Sequence, residues 1–330
     1  MQSLAAPLDK FDGIRPGVSW SSISLKPAAE WPASPPIETE DQLGAYLDDI
    51  NATDEARAFC KTLAADGVAR IDLGAEGRGL CETVASEMDR SFAARGAKRI
   101  QDAWLRSRAV RRLATLPKVR ELLSLAYGRP AFAFQTLNFR VGTEQDTHAD
   151  TIHFHSIPER FMCGVWIALE DIHPVAGPLR YRPGSHKLPV LTMQGAGVNH
   201  SPPTSADYGS TYLPALERRL DAASLAHADA VLRKGEALVW AANLAHGGAP
   251  VLDPTSTRRS LVTHYFFKGC LYYTPMTSDV ENGKTSVRLP TNLHSGGVEW
   301  PRLDGRLAKV GNDQILDAMR KIVFRRVNEF

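Results

Sequence analysis

Downstream of Pro130 the chain breaks into short runs of strand character: AFAFQTLNFRV (131–141), CGVWIALEDI (163–172), LRYRPGSH (179–186), EALVWAAN (236–243) and RSLVTHYFF (259–267). They are rich in β-branched and aromatic residues, and Gly/Pro turns such as HPVAGP and RPGSH separate them. Short strands joined by turns, with no helix between them, point to a mainly β fold, a barrel or jelly roll. The stretch 190–230 is the exception: long, polar and partly helical (ALERRLDAASLAHADA, 215–230), it is expected to form an active-site lid.

Upstream the period changes to that of helices. Thr53 reads as an N-cap and Gly67 as a C-cap of a helix over 54–66, and VARIDLG (68–74) alternates as a strand. Leu80, Val84, Met88 and Phe92 line one face of a second helix over 80–94. Shorter helical stretches follow at 102–112 and 117–127. Residues 1–50, with KPAAEWPASPP at 26–36, show no sustained period and read as an irregular arm. The expected organisation is one domain over 1–330: arm (1–50), helical support (51–129), β core (130–270) and C-terminal extension (271–330).

Bulk properties exclude several classes. The 330 residues are 43% hydrophobic and 23% charged, enough apolar material for a sizeable core. Basic and acidic residues number 39 and 37, so no polyanionic partner such as nucleic acid is expected. No apolar run is long enough to span a bilayer. MQSLAAPLDKFDG (1–13) has neither the basic nor the apolar region of a secretory signal. Cys60, Cys81, Cys163 and Cys270 are scattered without CxxC spacing, as reduced core cysteines are. The expected location is the cytoplasm.

Histidines carry the chemical information. Three of the ten crowd into HADTIHFH (148–155). Read as extended chain, the segment puts His148 and Asp150 on one face and His153 and His155 on the other. His-x-Asp supplies an imidazole and a carboxylate, and one distant His would complete the triad of two histidines and one carboxylate. That triad leaves coordination positions open on Fe(II) for a bidentate co-substrate and O2. His246 fits best, at the end of EALVWAANLAH and before Gly247 and Gly248. A rival set, His153, His155 and Glu159, has the HxHxxxE spacing of a cupin motif but lacks its preceding glycines.

THADTIHFH (147–155), WIALEDIHPVAGPLRYRPGSHK (166–187) and LAHGGAPVLDPTSTRRSLVTHYFF (244–267) together resemble the phytanoyl-CoA dioxygenase family of Fe(II)- and 2-oxoglutarate-dependent oxygenases, over about residues 130–270. The resemblance implies a double-stranded β-helix, with the helical N-terminal third packed on one sheet. It implies Fe(II) on His148, Asp150 and His246, with 2-oxoglutarate and O2 as co-substrates. In the family an Arg about a dozen residues past the distal His holds the far carboxylate of 2-oxoglutarate. Arg258 and Arg259 both qualify; the strand that follows favours Arg258, with Ser260 on the same face. A planar guanidinium suits a carboxylate because it binds with two parallel hydrogen bonds and stays charged. Trp166 corresponds to a residue placed against the co-substrate. Gln135 and Asn138 resemble the family's Gln and Asn on the strand before HxD, one residue closer together. Pro183 to His186 read as a structural turn.

The function expected is hydroxylation or desaturation of a small polar metabolite or natural-product intermediate, with an acyl thioester as the alternative substrate. Related halogenases replace the carboxylate that Asp150 provides, which argues against halogenation. A cupin-type metalloenzyme without 2-oxoglutarate, or a non-catalytic barrel, are the competing classes. Specificity is expected from the N-terminal helices and the 190–230 segment. Tyr208, Tyr212, Arg218 and Arg219 there, with Arg140, point to a polar or anionic substrate.

Overall fold

A computed structural model describes residues 28–328, so residues 1–27 of the expected arm lie outside the description. Helix α1 (Glu40–Asp49) leads into α2 (Asp54–Asp66), β1 (Val68–Asp72), α3 (Gly74–Arg95), β2 (Arg99–Gln101), α4 (Arg108–Ala114) and α5 (Pro117–Tyr127). The core strands follow: β3 (Ala131–Phe139), β4 (His155–Ile157), β5 (Met162–Ala168) and β6 (Leu179–Tyr181). The insertion then runs as a turn α6 (Ser205–Asp207), a π-helical turn over Tyr208–Tyr212 and α7 (Leu213–Ala222). Beyond it come β7 (Ala228–Ala230), β8 (Glu236–Ala241), β9 (His246–Gly248), β10 (Ser260–Phe267), β11 (Leu271–Tyr273), the hairpin β12 (Arg302–Leu303) and β13 (Arg306–Leu307), and α8 (Asn312–Asn328).

The helix over 54–66 forms as its caps require. Thr53 accepts a hydrogen bond from the Ala56 amide, and Gly67 closes the helix in the left-handed region at φ 76°. The reading of 1–50 as irregular needs correction. Residues 40–49 are helical because Leu43 and Leu47, one turn apart, both bury, and the Tyr46 hydroxyl donates to the Leu125 carbonyl at 2.7 Å.

Six strands pair antiparallel in the order β1-β8-β5-β10-β3-β2, and a smaller sheet runs β7-β6-β9. The two-residue period sorts side chains between the faces of the large sheet. Val165 and Ile167 of β5, Val239 of β8 and Leu261 of β10 turn outward into one apolar cluster with Leu63, Val84 and Leu123 of the helices. Trp166, Leu238, Trp240 and Val262 turn inward and meet Leu179 and Tyr181 of the small sheet. The expected jelly roll with helices against one sheet is therefore the architecture, and the inner faces of its two sheets enclose the candidate site. No helix among the described residues is long and apolar enough to cross a membrane.

Candidate metal centre and co-substrate cavity

HADTIHFH does not form the expected strand. His148 and His246 face each other as an isolated antiparallel pair, exchanging both backbone hydrogen bonds (His148 N to His246 O 2.9 Å, His246 N to His148 O 2.8 Å). Residues so paired project side chains to the same face, and the two imidazole centroids lie 4.5 Å apart. After Ala149 the chain turns into a 3-10 helix over Asp150–Ile152, because the His153 amide returns to the Asp150 carbonyl at 2.9 Å. Asp150 thus reaches the histidines from the first residue of a turn, not from the next step of a strand. Gly247 and Gly248 make the pairing possible: a Cβ there would lie 2.6 Å from the Gln145 carbonyl oxygen and 2.8 Å from the Glu144 amide.

His148, Asp150 and His246 are all buried, and their candidate ligand atoms lie within 4.8 Å of one another. Each histidine Nε2 is 3.9 Å from Asp150 Oδ1. Each Nδ1 is committed to a backbone carbonyl, that of Asp146 (2.9 Å) for His148 and that of Leu244 (3.0 Å) for His246. Nδ1 must donate in those contacts, so both Nε2 atoms keep a lone pair on the carboxylate side, as a cation would require; that of His148 also accepts from the Gln145 side-chain amide at 3.3 Å, a contact a bound cation would replace. Burial, with the neighbouring His148, pushes the His246 imidazole down to about 4, and burial also lowers His148. Burial alone would raise Asp150, but His264, His246, His148 and the Trp240 N–H outweigh it and leave the carboxyl at about 2. Two neutral imidazoles and an ionised carboxylate are the protonation states that a divalent metal selects.

Two further residues beside Asp150 were not singled out in the sequence: Trp240, which holds it, and His264, which lies next to it. Trp240 Nε1 donates to Asp150 Oδ2 at 2.8 Å, and His264 Nε2 lies 3.6 Å from the same oxygen. Trp240 fits because residue 164 is glycine: any Cβ there would collide with its indole. His264 was legible in principle, since it follows Arg258, Ser260 and Val262 at steps of two. Its Nδ1 is 3.0 Å from Gln135 Oε1.

A cavity of about 410 Å³ opens from the triad. Gln135, Trp166 and Arg258 line it. Arg258 is buried, and its guanidinium lies over the Phe139 and Trp166 rings at 5.5 and 5.7 Å. Among the described residues its Nη2 reaches only the Val141 carbonyl, at 3.3 Å, and its Nε has no partner. Burial lowers Arg258 to about 10. The Trp166 indole N–H and the Ser260 hydroxyl are likewise buried without partners, although Ser260 does not itself line the cavity. Arg259 points the other way and pairs with Asp89 (2.8 Å) and Glu170 (2.6 Å). An unpaired buried guanidinium beside other unsatisfied donors fits a carboxylate ligand.

Other expectations are corrected. Asn138 does not line the cavity: Gln135, Leu137 and Phe139 do, and a separation of three along a strand places Asn138 on the opposite face. His153, His155 and Glu159 form no metal cluster among the described residues. His153 instead meets the Tyr208 hydroxyl at 3.3 Å, and His155 lies beside Tyr273. The Pro183–His186 segment is a structural turn, as expected, its Ser185 hydroxyl accepting from the Ala245 amide at 2.9 Å. None of Arg140, Tyr208, Tyr212, Arg218 and Arg219 lines the cavity, and nor does any residue of the 190–230 segment or of the N-terminal helices. Tyr212 is a core residue of the insertion's own apolar cluster. The outer wall comes from β2 and the C-terminal extension: Arg99, Gln101, Thr274, Met276 and Arg288.

Comparison with solved structures finds the same fold. The epimerase SnoN in complex with Fe3+, alpha ketoglutarate and nogalamycin RO superposes with TM-score 0.52 at 20% identity, over 66% of this chain and 86% of that one. EctD from S. alaskensis with 2-oxoglutarate and 5-hydroxyectoine gives TM-score 0.51 at 16% identity, over 66% and 78%. The non-heme monooxygenase ThoJ gives TM-score 0.50 at 15% identity, over 82% and 96%. Comparison with curated protein sequences finds no match. The model of the phytanoyl-CoA dioxygenase family matches residues 42–260, from α1 through the triad to the start of β10. With two thirds of its length matched and the triad assembled within that span, the chain belongs to the phytanoyl-CoA dioxygenase family.

Proposed function

We propose that this protein is an Fe(II)- and 2-oxoglutarate-dependent oxygenase that hydroxylates or desaturates a C–H bond of a small polar metabolite or natural-product intermediate. The observation that carries the proposal is the convergence of His148, Asp150 and His246 with both Nδ1 atoms tied to backbone carbonyls. Bound there, iron and 2-oxoglutarate would supply the oxidation of the substrate by O2, with release of succinate and CO2. His148 and His246 offer neutral Nε2 atoms, and Asp150 offers Oδ1 while Trp240 holds Oδ2 in place. Arg258 would receive the distal carboxylate of 2-oxoglutarate in its planar fork, with Ser260 adding a hydroxyl and Trp166 covering the chain of the molecule. Gln135 keeps His264 oriented beside the centre. Asp150 supports hydroxylation or desaturation over halogenation, because the carboxylate occupies the position a halide needs.

A cupin-type enzyme that does not use 2-oxoglutarate leaves Arg258 without a role. A non-catalytic barrel has no use for three buried ligand groups in metal-ready protonation states. A small-molecule substrate fits the cavity volume, and a cytoplasmic setting agrees with four buried, unpaired cysteines. The test is succinate formation by anaerobically Fe(II)-loaded protein given 2-oxoglutarate and O2, without and with a metabolite library. Stimulation by a pool, lost in His246→Ala, is the expected outcome. No succinate from any pool, together with no 2-oxoglutarate binding to the Mn(II)-loaded protein, would overturn the proposal.

A further inference from the structure

Arg288 lines the cavity from the C-terminal extension, beyond the 42–260 stretch that the family model matches. Its Nη1 donates to Thr274 Oγ1 at 2.8 Å, and among the described residues no carboxylate lies within ion-pair distance of it. Its guanidinium sits 4.8 Å over the Phe154 ring, which packs edge-on against Phe134 and lies 5.1 Å from His264. The backbone beneath is pinned: the Arg288 amide bonds to the Tyr272 carbonyl at 2.8 Å, and the Thr274 amide to the Ser286 carbonyl at 3.0 Å. Asp317 and Asp102 are near enough to favour its charge, but both are in contact with Lys321, so the guanidinium has no contacting anion and is already oriented to receive one.

Two features assign that partner to the substrate rather than to 2-oxoglutarate. Arg258 and Arg288 serve different parts of the cavity: Arg258 lies over Phe139 and Trp166, whereas Arg288 sits by Phe154 and His264. Arg258 and His264 are six residues apart, up to about 20 Å of extended backbone. The charge balance agrees. Among the described residues Asp150 is the sole acidic one lining the cavity, against Arg99, Arg258 and Arg288. A divalent metal and dianionic 2-oxoglutarate cancel, as do Asp150 and Arg258, so Arg99 at the mouth and Arg288 inside leave an excess of positive charge.

We infer that the primary substrate carries an oxyanion, a carboxylate or a phosphate, and that Arg288, braced by Thr274 and Phe154, holds it beside the metal centre. This rests on the 2-oxoglutarate-dependent reading above. The test is calorimetry on Mn(II)- and 2-oxoglutarate-loaded protein with three probes: 3-phenylpropanoate, its neutral primary amide, and phenyl phosphate. At least one anion is expected to bind about tenfold or more tightly than the amide, as a charge-assisted hydrogen bond gives. Which anion binds distinguishes carboxylate from phosphate. Arg288→Gln should erase the preference, Arg288→Lys should restore part of it, and 2-oxoglutarate affinity should stay within about twofold in both. Equal binding of anions and amide, absence of binding by all three, or a preference that survives Arg288→Gln overturns the inference. Loss of 2-oxoglutarate affinity in Arg288→Gln also overturns it, since Arg288 would then be the co-substrate anchor. Failure of the parent reading is separate: the unsubstituted Mn(II) protein would then not bind 2-oxoglutarate at all.

Discussion

Replacing Arg258 with Gln removes a cation that is buried, unpaired and aimed at the cavity, and its two consequences have opposite signs. Hydrogen bonds to charged groups contribute about 1.5–3 kcal/mol each. Losing a bidentate pair should therefore weaken 2-oxoglutarate binding about 100-fold to 10,000-fold. The ligand-free protein should respond the other way. Burial holds the Arg258 guanidinium near 10, below the ordinary 12.5, so the charged form costs folding free energy at every pH below that range. Removing the charge recovers part of this cost, while lost contact with Phe139 and Trp166 takes some back. A net gain of about 1–2 kcal/mol, or a few degrees in Tm, is expected. Arg259→Gln is the control. It breaks half-exposed pairs to Asp89 and Glu170, should destabilise by about 1 kcal/mol or less, and should leave 2-oxoglutarate affinity within about twofold. The assay is calorimetry on the Mn(II)-loaded proteins beside thermal denaturation without ligand. Equal 2-oxoglutarate affinities in the two variants, or a larger loss in Arg259→Gln, would refute the assignment.

Asp150→Ala should abolish succinate formation, and an undiminished yield would reject the triad. Trp240→Phe removes the indole N–H that holds Asp150 Oδ2 and should lower Mn(II) affinity about 10-fold to 100-fold with the fold intact, read by metal titration. Asn138→Leu replaces a buried amide with no partner for either polar atom; it should leave 2-oxoglutarate affinity unchanged and stabilise by about 1–3 kcal/mol. A large affinity loss there would return Asn138 to the site. Finally, His148, His246 and His264 all lie below the ordinary imidazole value of 6.5, with His246 at about 4. The unfolded chain therefore takes up these protons first, and metal-free stability should fall as pH drops from about 6.5 toward 4. Denaturant midpoints that do not move over that window would contradict these burial states.

Local pattern carried the metal ligands and most of the fold. Period-two runs with turns between them marked the strands, and capped period-3.6 runs marked α2 and α3, because both signals lie within a few residues of sequence. The triad was also legible: HxD and a His before two glycines are short motifs, and the three residues do converge, although Asp150 arrives from a turn and not along the expected strand. The choice between Arg258 and Arg259 was not local. Adjacent residues on a strand face opposite ways, and only the completed sheet shows which way is inward. The same two-residue alternation, applied to Gln135, places Asn138 outside the cavity. Tertiary structure alone decided that Asp150 comes from a 3-10 turn, that Trp240 braces it and that His264 lies alongside. It alone moved the cavity's outer wall from the 190–230 insertion to Arg99, Thr274, Met276 and Arg288. Those contacts join residues far apart in the chain, where sequence spacing carries no information, because they form only when the two sheets close and the C-terminal extension folds back over the mouth between them.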